Sequence, residues 1–304
     1  MSYVIGIDGG GTKSRLLLTD LSGRTILEKL GGPTNLYALG PEATVRELHG
    51  LIDAAVKEAG LAIEDCSAVC LGNAGVDRPE ERLHFERMLA SCGIQGKITV
   101  TNDAETVLVA GSGRREGIVI ISGTGSLAYG IDDQGIRTRA GGWGHLAGDE
   151  GSGFDIGIRA VRSALCSYDG REPETLLLPY LLEVLKLEEA EQLKVFVYTH
   201  QGKQHIAALA KVVYDAYLNG DAKAENILTT AVEGLYELAD TVIRRMEYGQ
   251  REFHLVCGGS IFKYNHYVFA EFSRRIRGTY PGIRIVIPDR DAAYGAAKIA
   301  LLSL

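Results

Sequence analysis

Short apolar runs alternate with amphipathic stretches of helical period along the first part of the chain. Glycine or proline stands at many of the boundaries between these segments. The pattern predicts the order βββαβαβα. The predicted elements are a strand from residue 4, strands over 14–20 and 24–30, a helix over 41–60, a strand over 68–72, a helix over 79–91, a strand over 98–101 and a helix from about 103.

The second part of the chain repeats this order once a polar helical region over 172–219 is set aside. Its predicted elements are strands over 117–122, 127–131 and 136–140, a helix over 153–166, a helix over 222–248, a strand over 253–257, a helix over 263–277, a strand over 284–287 and a helix over 291–302. The repetition predicts two α/β domains that face each other across a cleft, with the hinge near 111–117.

Each half opens on an apolar strand that meets a glycine cluster with a hydroxyl residue. The first loop reads VIGIDGGGT from Val4, and the second reads VIISGTGS from Val119. Glycines at such a turn permit positive φ and let N–H groups converge, and converging N–H groups bind anionic oxygens. An ordinary hairpin turn explains either loop alone, but the pair favours a duplicated domain with a phosphate-bearing ligand between the copies.

Charge and composition limit the class of partner. The formal charge of −7 and the pI near 5.6 argue against a nucleic-acid surface, which needs a basic stripe. No apolar run approaches the length of a membrane span, and a strand from Val4 leaves no room for a signal peptide, so we expect a cytoplasmic protein. Five cysteines without a close C-x-x-C pair predict neither a disulfide framework nor a structural metal.

Two aspartates stand where strands end. Asp8 immediately precedes the first glycine cluster, where a carboxylate beside a phosphate site is suited to a divalent cation; the alternative is an aspartate that caps its own turn. Asp103 follows a strand at a predicted helix N-terminus, which keeps a carboxylate ionised and suits it to accept a proton from a substrate hydroxyl. An N-cap is its other possible role, although Asn102 could supply the cap instead.

Three other segments carry candidate ligand contacts. The stretch 141–153, GGWGHLAGDEGSG, offers Trp143 to the apolar face of a sugar ring and Asp149 and Glu150 to its hydroxyls. The alternative role of Trp143 is packing between domains. Asn35 could present its amide to a polar ligand, and its alternative role is in a turn after proline. Near the end, the glycines in VCGGS could let adenine lie against the backbone.

The motifs IGIDGGGTKS, TNDA, SGTGS, GGWGHLAGDEGS and CGGS, in this order, resemble the BadF/BadG/BcrA/BcrD-type ATPase family, and its N-acetylglucosamine kinase-like members in particular. The family belongs to the actin, hexokinase and sugar-kinase superfamily. The resemblance implies two ribonuclease-H-like domains that close over ATP, Mg²⁺ and an amino sugar. It predicts domains over 1–113 and 114–290, with the closing helix 291–304 packed on the first.

The resemblance also implies a role for each motif residue. Asp8 would orient Mg²⁺ through water, and Asp103 would be the catalytic base for transfer of phosphate, in our hypothesis to the 6-hydroxyl. A homodimer is implied as well. The residues implied to hold ATP are Gly10, Gly11, Thr12, Thr124, Gly125, Gly258 and Gly259, and those implied to hold the sugar are Asn35, Gly142, Trp143 and Asp149.

Two positions depart from the animal N-acetylglucosamine kinases of that family. Leu127 follows GTGS where those enzymes carry a polar residue, and Tyr37 stands where they carry tryptophan. Glucosamine, N-acetylmuramic acid or another hexose therefore stays open as the substrate. Three other classes compete with a kinase: a non-sugar ATPase with an iron–sulfur cluster, a sugar-kinase-like transcriptional regulator, and a fold that senses ligand without turnover.

Overall fold

The structure is a computed structural model, and it describes residues 1–73, 75–76, 78–199, 202–249 and 251–304. The chain divides into two compact units. Unit 1 comprises Met1–Arg115 and Pro288–Leu304, and unit 2 comprises Glu116–Ile287. Each unit contains one mixed sheet covered by helices, which is the α/β fold that the sequence predicts.

Unit 1 has a five-stranded sheet among its described residues, in the order β3-β2-β1-β4-β5. Strands β1 to β3 form an antiparallel meander, and β4 and β5 run parallel to β1. Numbered along the chain, its elements are β1 (Tyr3–Gly9), β2 (Ser14–Asp20), β3 (Thr25–Gly31), α1 (Leu36–Leu39), α2 (Pro41–Glu58), β4 (Cys66–Asn73), α3 (Pro79–Ser91), β5 (Lys97–Asn102), α4 (Asp103–Ser112) and α13 (Ala292–Leu302).

Unit 2 repeats this topology in its own described residues, with the strand order β8-β7-β6-β9-β10 and the same pattern of directions. Helices α6 to α9 occupy the predicted polar insertion. The elements are β6 (Gly117–Ser122), β7 (Ser126–Ile131), β8 (Arg137–Gly141), α5 (Gly153–Tyr168), α6 (Leu177–Leu185), α7 (Gln192–Thr199), α8 (Lys203–Ala207), α9 (Ala210–Leu218), α10 (Ala222–Arg245), β9 (Phe253–Gly258), α11 (Ser260–Tyr264), α12 (His266–Thr279) and β10 (Ile283–Val286).

The last helix of the chain packs on the sheet of unit 1 at two glycines. An added Cβ at Gly6 of β1 would lie 2.2 Å from the backbone nitrogen of Ala297. An added Cβ at Gly295 of α13 would lie 1.9 Å from the carbonyl oxygen of Thr106 in α4. Glycine at both positions lets α13 approach the strand and its neighbouring helix at backbone distance, which a side chain would prevent.

One predicted helix is two helices in the structure. The prediction over 263–277 was wrong at its start, because α11 begins at Ser260 and ends before Asn265. Asn265 has an extended backbone, and its side-chain oxygen accepts the Val268 N–H at 3.1 Å, which makes it the N-cap of α12. The helix predicted over 222–248 ends earlier, at Arg245, and Glu247 then adopts a positive φ of 56°.

The five cysteines are free, and burial raises the pKa of the Cys66 thiol to about 12 and that of Cys92 to about 11. Burial also raises the pKa of the Cys70 and Cys257 thiols. A buried thiol with a raised pKa stays protonated and is a poor metal ligand. Across the described residues, no helix combines the length and the hydropathy that a membrane crossing requires.

The packing of α13 can be tested with a pair of glycine substitutions in helices. We expect Gly295→Ala to lower the midpoint of thermal unfolding, because overpacking against backbone costs about 1–3 kcal/mol. The matched control is Gly50→Ala in α2, where an added Cβ meets no atom within 4 Å and alanine favours a helix by up to about 1 kcal/mol. Equal midpoints for the two variants would contradict this packing.

Candidate functional site

Hydrogen bonds within unit 1 hold the start of the first glycine loop, whereas its tip is exposed. The N–H of Gly10 donates to the Lys13 carbonyl at 3.2 Å, and the Gly10 carbonyl accepts from the Thr34 N–H at 3.0 Å. An added Cβ at Gly9 would lie 2.0 Å from a side-chain oxygen of Asn73, where it would break a buried hydrogen bond from Thr34 to Asn73. Gly11 and Thr12 are exposed, and nothing lies within 4 Å of an added Cβ at Gly11.

Neither loop uses left-handed backbone at its central glycines. Positive φ occurs at neither Gly10 nor Gly11 in the first loop, and at neither Gly123 nor Gly125 in the second. Of these four glycines, Gly125 has the least room for a side chain, whereas an added Cβ at Gly11 or Gly123 would meet no atom within 4 Å.

Asp8 and Asp103 lie at one edge of the first sheet. Strands β1, β4 and β5 run parallel, and their last residues, Gly9, Asn73 and Asn102, pair in register. Burial and the nearby Asp103 and Asp291 carboxylates raise the pKa of Asp8 to about 6. The edge thus carries excess negative charge beside the exposed residues Gly11 and Thr12 of the first loop.

Asn102, and not Asp103, caps the helix at this edge. The Asn102 side-chain oxygen accepts the Ala104 N–H at 2.8 Å, so the predicted alternative cap is confirmed. Asp103 is the first residue of α4, and its carbonyl accepts a hydrogen bond from the Thr106 hydroxyl. With the cap supplied by its neighbour, the Asp103 carboxylate is not required for capping.

Arg15 and Asp291 complete the charged group around Asp8, and the sequence analysis assigned neither a functional role. The Arg15 guanidinium lies 2.5 Å from Asp291, which caps α13, and 3.2 Å from Glu28. Arg15 also lowers the pKa of Asp8, in opposition to the carboxylates. Only the folded sheet brings residue 15 to residue 291, and no spacing in the sequence signals the pair.

The second glycine loop is tied to the segment 141–153 in unit 2. The N–H of Gly123 donates to the Gly125 carbonyl at 2.9 Å, and the Gly123 carbonyl accepts from the Gly153 N–H at 2.7 Å. The hydroxyl of Ser122 donates to the Gly151 carbonyl, and that of Ser126 donates to the Glu150 carbonyl. The hydroxyls of the residues that flank the loop therefore hold Glu150 and Gly151 against it.

Asp149 is the buried carboxylate of this cluster. It is 3% exposed and has a positive φ of 63°. One carboxylate oxygen accepts the Ser126 N–H at 3.2 Å, and the other has no hydrogen-bond partner within the described part of the chain. An added Cβ at Gly125 would lie 2.8 Å from this carboxylate. The Asp149 carboxylate therefore leaves no room for a side chain at position 125.

Gly142 and Trp143 lie beside the same loop. The Gly142 N–H donates to the Ser126 carbonyl at 3.0 Å, and an added Cβ would lie 3.3 Å from Leu127. The Trp143 ring is 69% exposed and carries the Arg139 guanidinium 4.8 Å from its centre. Leu127, the departure from the family pattern, therefore adjoins the predicted sugar contacts of this unit.

The glycine pair near the end of unit 2 lies against the second loop. Gly258 ends β9 and pairs with Ile121 of β6, and Gly259 has φ +95°. An added Cβ at Gly259 would lie 2.1 Å from the Ser122 carbonyl. The predicted adenosine contact Gly259 therefore lies against the backbone at the start of the second loop.

Asn35 follows β3 and precedes α1 in unit 1. Its carbonyl accepts the Leu39 N–H, and its neighbour Thr34 is bonded to both Gly10 and Asn73. Asn35 is therefore held close to the first loop. The side chain of Tyr37, the second departure from the family pattern, lies outside the described residues.

Residues of the segment 141–153 also line a cavity of about 840 Å³ with α5 and α7. His145 and Leu146 face this cavity, and the His145 ring packs edge-on against Phe154 at 4.7 Å between centres. His145 is exposed, and its ring contacts the first turn of α5 at this cavity.

A cation beside Asp8 fits the charges of this site. Among the described residues, no group of three or more His, Cys, Asp or Glu side chains is placed to hold a metal. Magnesium, however, needs only one or two carboxylates when phosphate oxygens and water complete its shell. Burial and two nearby carboxylates raise the pKa of Asp8, and a cation would offset these effects.

Comparison with known proteins identifies the family of this chain. Residues 5–300 match the sequence profile of the BadF/BadG/BcrA/BcrD ATPase family. The chain belongs to this family. The resemblance stated from the motifs is therefore confirmed over nearly the whole chain.

Individual relatives cover the chain from end to end. It is 40% identical over 301 residues to an N-acetylmuramic acid/N-acetylglucosamine kinase of Clostridium acetobutylicum, with 99% of this chain and 98% of the relative covered. It is 32% identical to an N-acetyl-D-glucosamine kinase of Dictyostelium discoideum, with 98% of each covered. A candidate N-acetylglucosamine kinase from Chromobacterium violaceum has the same fold, with a TM-score of 0.76 at 25% identity and 99% of each chain covered.

The first loop of this family member can be tested as a phosphate site with two substitutions. We expect Gly11→Ala to leave the thermal midpoint unchanged and to weaken binding of an ATP analogue by about tenfold, because its Cβ would enter space that only a ligand needs. Gly9→Ala should lower the midpoint without ligand, because its Cβ collides with the Thr34–Asn73 pair. Calorimetric titration and thermal unfolding measure the two effects, and unchanged affinity in Gly11→Ala would contradict the assignment.

Proposed function

We propose that the protein is an ATP-dependent kinase that transfers the γ-phosphate to a hydroxyl of an amino sugar, N-acetylglucosamine or glucosamine, at the 6-position. One observation of unit 1 carries the proposal: Asp8 and Asp103 lie at the edge of one sheet beside an exposed glycine loop. The homologous kinases of amino sugars support the same activity and agree with the sequence-based prediction.

Asp103 is the proposed base. As the sugar hydroxyl oxygen forms its bond to the γ-phosphorus and the bond from that phosphorus to the β–γ bridging oxygen breaks, the hydroxyl proton passes to the Asp103 carboxylate. The ADP oxygen leaves with the electron pair. A loose transition state of this kind needs alignment and charge neutralisation more than covalent help from the protein.

The loops supply the proposed nucleotide contacts. In this proposal Gly11 and Thr12 of unit 1 and Thr124 and Gly125 of unit 2 offer backbone N–H groups and hydroxyls to phosphate oxygens, and Gly10 lines the first loop without a side chain. Gly258 and Gly259 leave the backbone bare beside the adenosine. Asp8 would hold magnesium through water, and a bound magnesium ion would neutralise charge on the phosphates.

The proposed sugar contacts come from polar groups that the fold holds rigidly. The Asp149 oxygen that lacks a hydrogen-bond partner in the described chain suits a sugar hydroxyl, because a buried carboxylate oxygen gains from a donor. Gly142, Trp143 and Asn35 add backbone, ring and amide contacts. The homodimer and the cytoplasmic location stay predictions of the sequence.

The decisive experiment measures ADP release with MgATP across neutral hexoses and amino sugars. We expect turnover with an amino sugar, and we expect Asp103→Asn to lower kcat by about a hundredfold or more, because the amide cannot accept the proton. ATP binding should persist in the variant. Asp133→Asn, an exposed carboxylate in a hairpin turn, is the matched control. Hydrolysis of ATP that is indifferent to every sugar, or to the Asp103 substitution, would overturn the proposal.

Sugar binding can be followed separately through Trp143, the only tryptophan of the chain. We expect N-acetylglucosamine to shift its emission to shorter wavelength, because a sugar ring over the exposed indole displaces water. Asp149→Asn should weaken the affinity by about tenfold, since a charge-assisted hydrogen bond is lost. A fluorescence titration without nucleotide measures both, and emission insensitive to every amino sugar would contradict the role of Trp143.

A further inference from the structure

The buried carboxylate of Asp149 has a cation beside it that the motifs do not contain. The ammonium nitrogen of Lys203 lies 3.9 Å from the Asp149 oxygen that lacks a hydrogen-bond partner. This separation allows an ion pair but is too long for a hydrogen bond. Lys203 therefore balances the charge of Asp149 without using up its hydrogen-bonding capacity.

Lys203 is accessible where Asp149 is not. Its side chain is 44% exposed, against 4% for that of Asp149. Lysine carries a flexible stem with three N–H donors, which can turn toward a second acceptor with little rearrangement of the backbone. The ammonium can thus serve Asp149 and a bound anion together.

Backbone contacts hold the helix that carries Lys203. Lys203 is the first residue of α8, and α8 packs on α5 at two glycines one turn apart. An added Cβ would lie 3.0 Å from the Ala207 carbonyl at Gly153, and 2.0 Å from the Ile206 carbonyl at Gly157. The Gly153 N–H also donates a hydrogen bond to the Gly123 carbonyl of the second loop. The same helix α5 therefore contacts both α8, which carries Lys203, and the loop beside Asp149.

We propose that Lys203 is a specificity residue that lets this site accept an amino sugar bearing a carboxylate, such as the 3-O-lactyl group of N-acetylmuramic acid. The inference rests on the proposed function, in which Asp149 contacts the sugar. A second carboxylate beside Asp149 would be repelled, and the repulsion is strong where water is scarce. The Lys203 ammonium offsets it and donates to the incoming carboxylate, whereas a neutral sugar needs no such partner.

The test compares three substrates: N-acetylglucosamine, N-acetylmuramic acid and 3-O-methyl-N-acetylglucosamine, which has the ether without the charge. For Lys203→Met we expect kcat/KM to fall by about tenfold for N-acetylmuramic acid, mainly through KM, as for the loss of one charge-assisted hydrogen bond. The two neutral sugars should lose clearly less, because they bring no second negative charge to Asp149. Lys203→Arg should restore most of the loss, and Lys211→Met, an exposed lysine of α9, is the matched control.

A binding readout accompanies the kinetics. Titration of Trp143 fluorescence without nucleotide should show the same selective loss of N-acetylmuramic acid affinity in Lys203→Met. Added salt should weaken this affinity in the native chain more than in the variant, since screening acts on the charge pair.

The results separate this inference from the proposed function. Equal losses on charged and neutral sugars, no loss at all, or a native chain that phosphorylates N-acetylglucosamine but not N-acetylmuramic acid would overturn the role of Lys203 alone. A native chain that phosphorylates no amino sugar would overturn the proposed function and this inference with it.

Discussion

A carboxylate lies beside the glycine loop in each unit, and its electrostatic cost constrains the proposed site. A buried carboxylate is costly unless it is paired or solvated; burial and neighbouring carboxylates raise the pKa of the half-buried Asp8, and one oxygen of Asp149 lacks a hydrogen-bond partner in the described chain. In unit 1, the cost appears as a pKa of about 6 for Asp8, despite the nearby Arg15. In unit 2, it appears as an oxygen of Asp149 with no hydrogen-bond donor in the described chain. Groups left in this condition gain from a cation or a hydroxyl, and both belong to the proposed reaction.

The two units share a topology but differ in what surrounds their loops. Each sheet has the same strand order, and each loop joins the first two strands of its meander. Unit 1 places aspartates at the carboxyl ends of its strands. Unit 2 instead folds the segment 141–153 back over its loop, and inserts α6 to α9. The two units therefore share a scaffold and differ in the segments that surround their loops.

Much of the fold could be predicted from sequence because its signals are local. Buried strands read as apolar runs, and capping residues such as Asn102 mark where helices begin. The interruption at Asn265 was missed, because asparagine inside an apolar helical pattern resembles a surface position until its cap is seen. Two pairs, Arg15 with Asp291 and Lys203 with Asp149, were missed for another reason. Their partners are distant in sequence, and only the strand register and the packing of α8 bring them together.

The residues of unit 2 also suggest how one site could treat neutral and charged sugars differently. Leu127 cannot donate a hydrogen bond, so in the proposed site the backbone beside Gly142 is the partner that we expect for an acetamido group. Backbone groups are held by the strand and the loop and tolerate variation in the group they bind. Charge is different, because like charges in a poorly solvated site are strongly disfavoured unless a counter-charge is at hand. In this proposal, β7 and its glycine loop would tolerate variation in the acyl group. The inserted helix α8, which carries Lys203, would discriminate between sugars by charge.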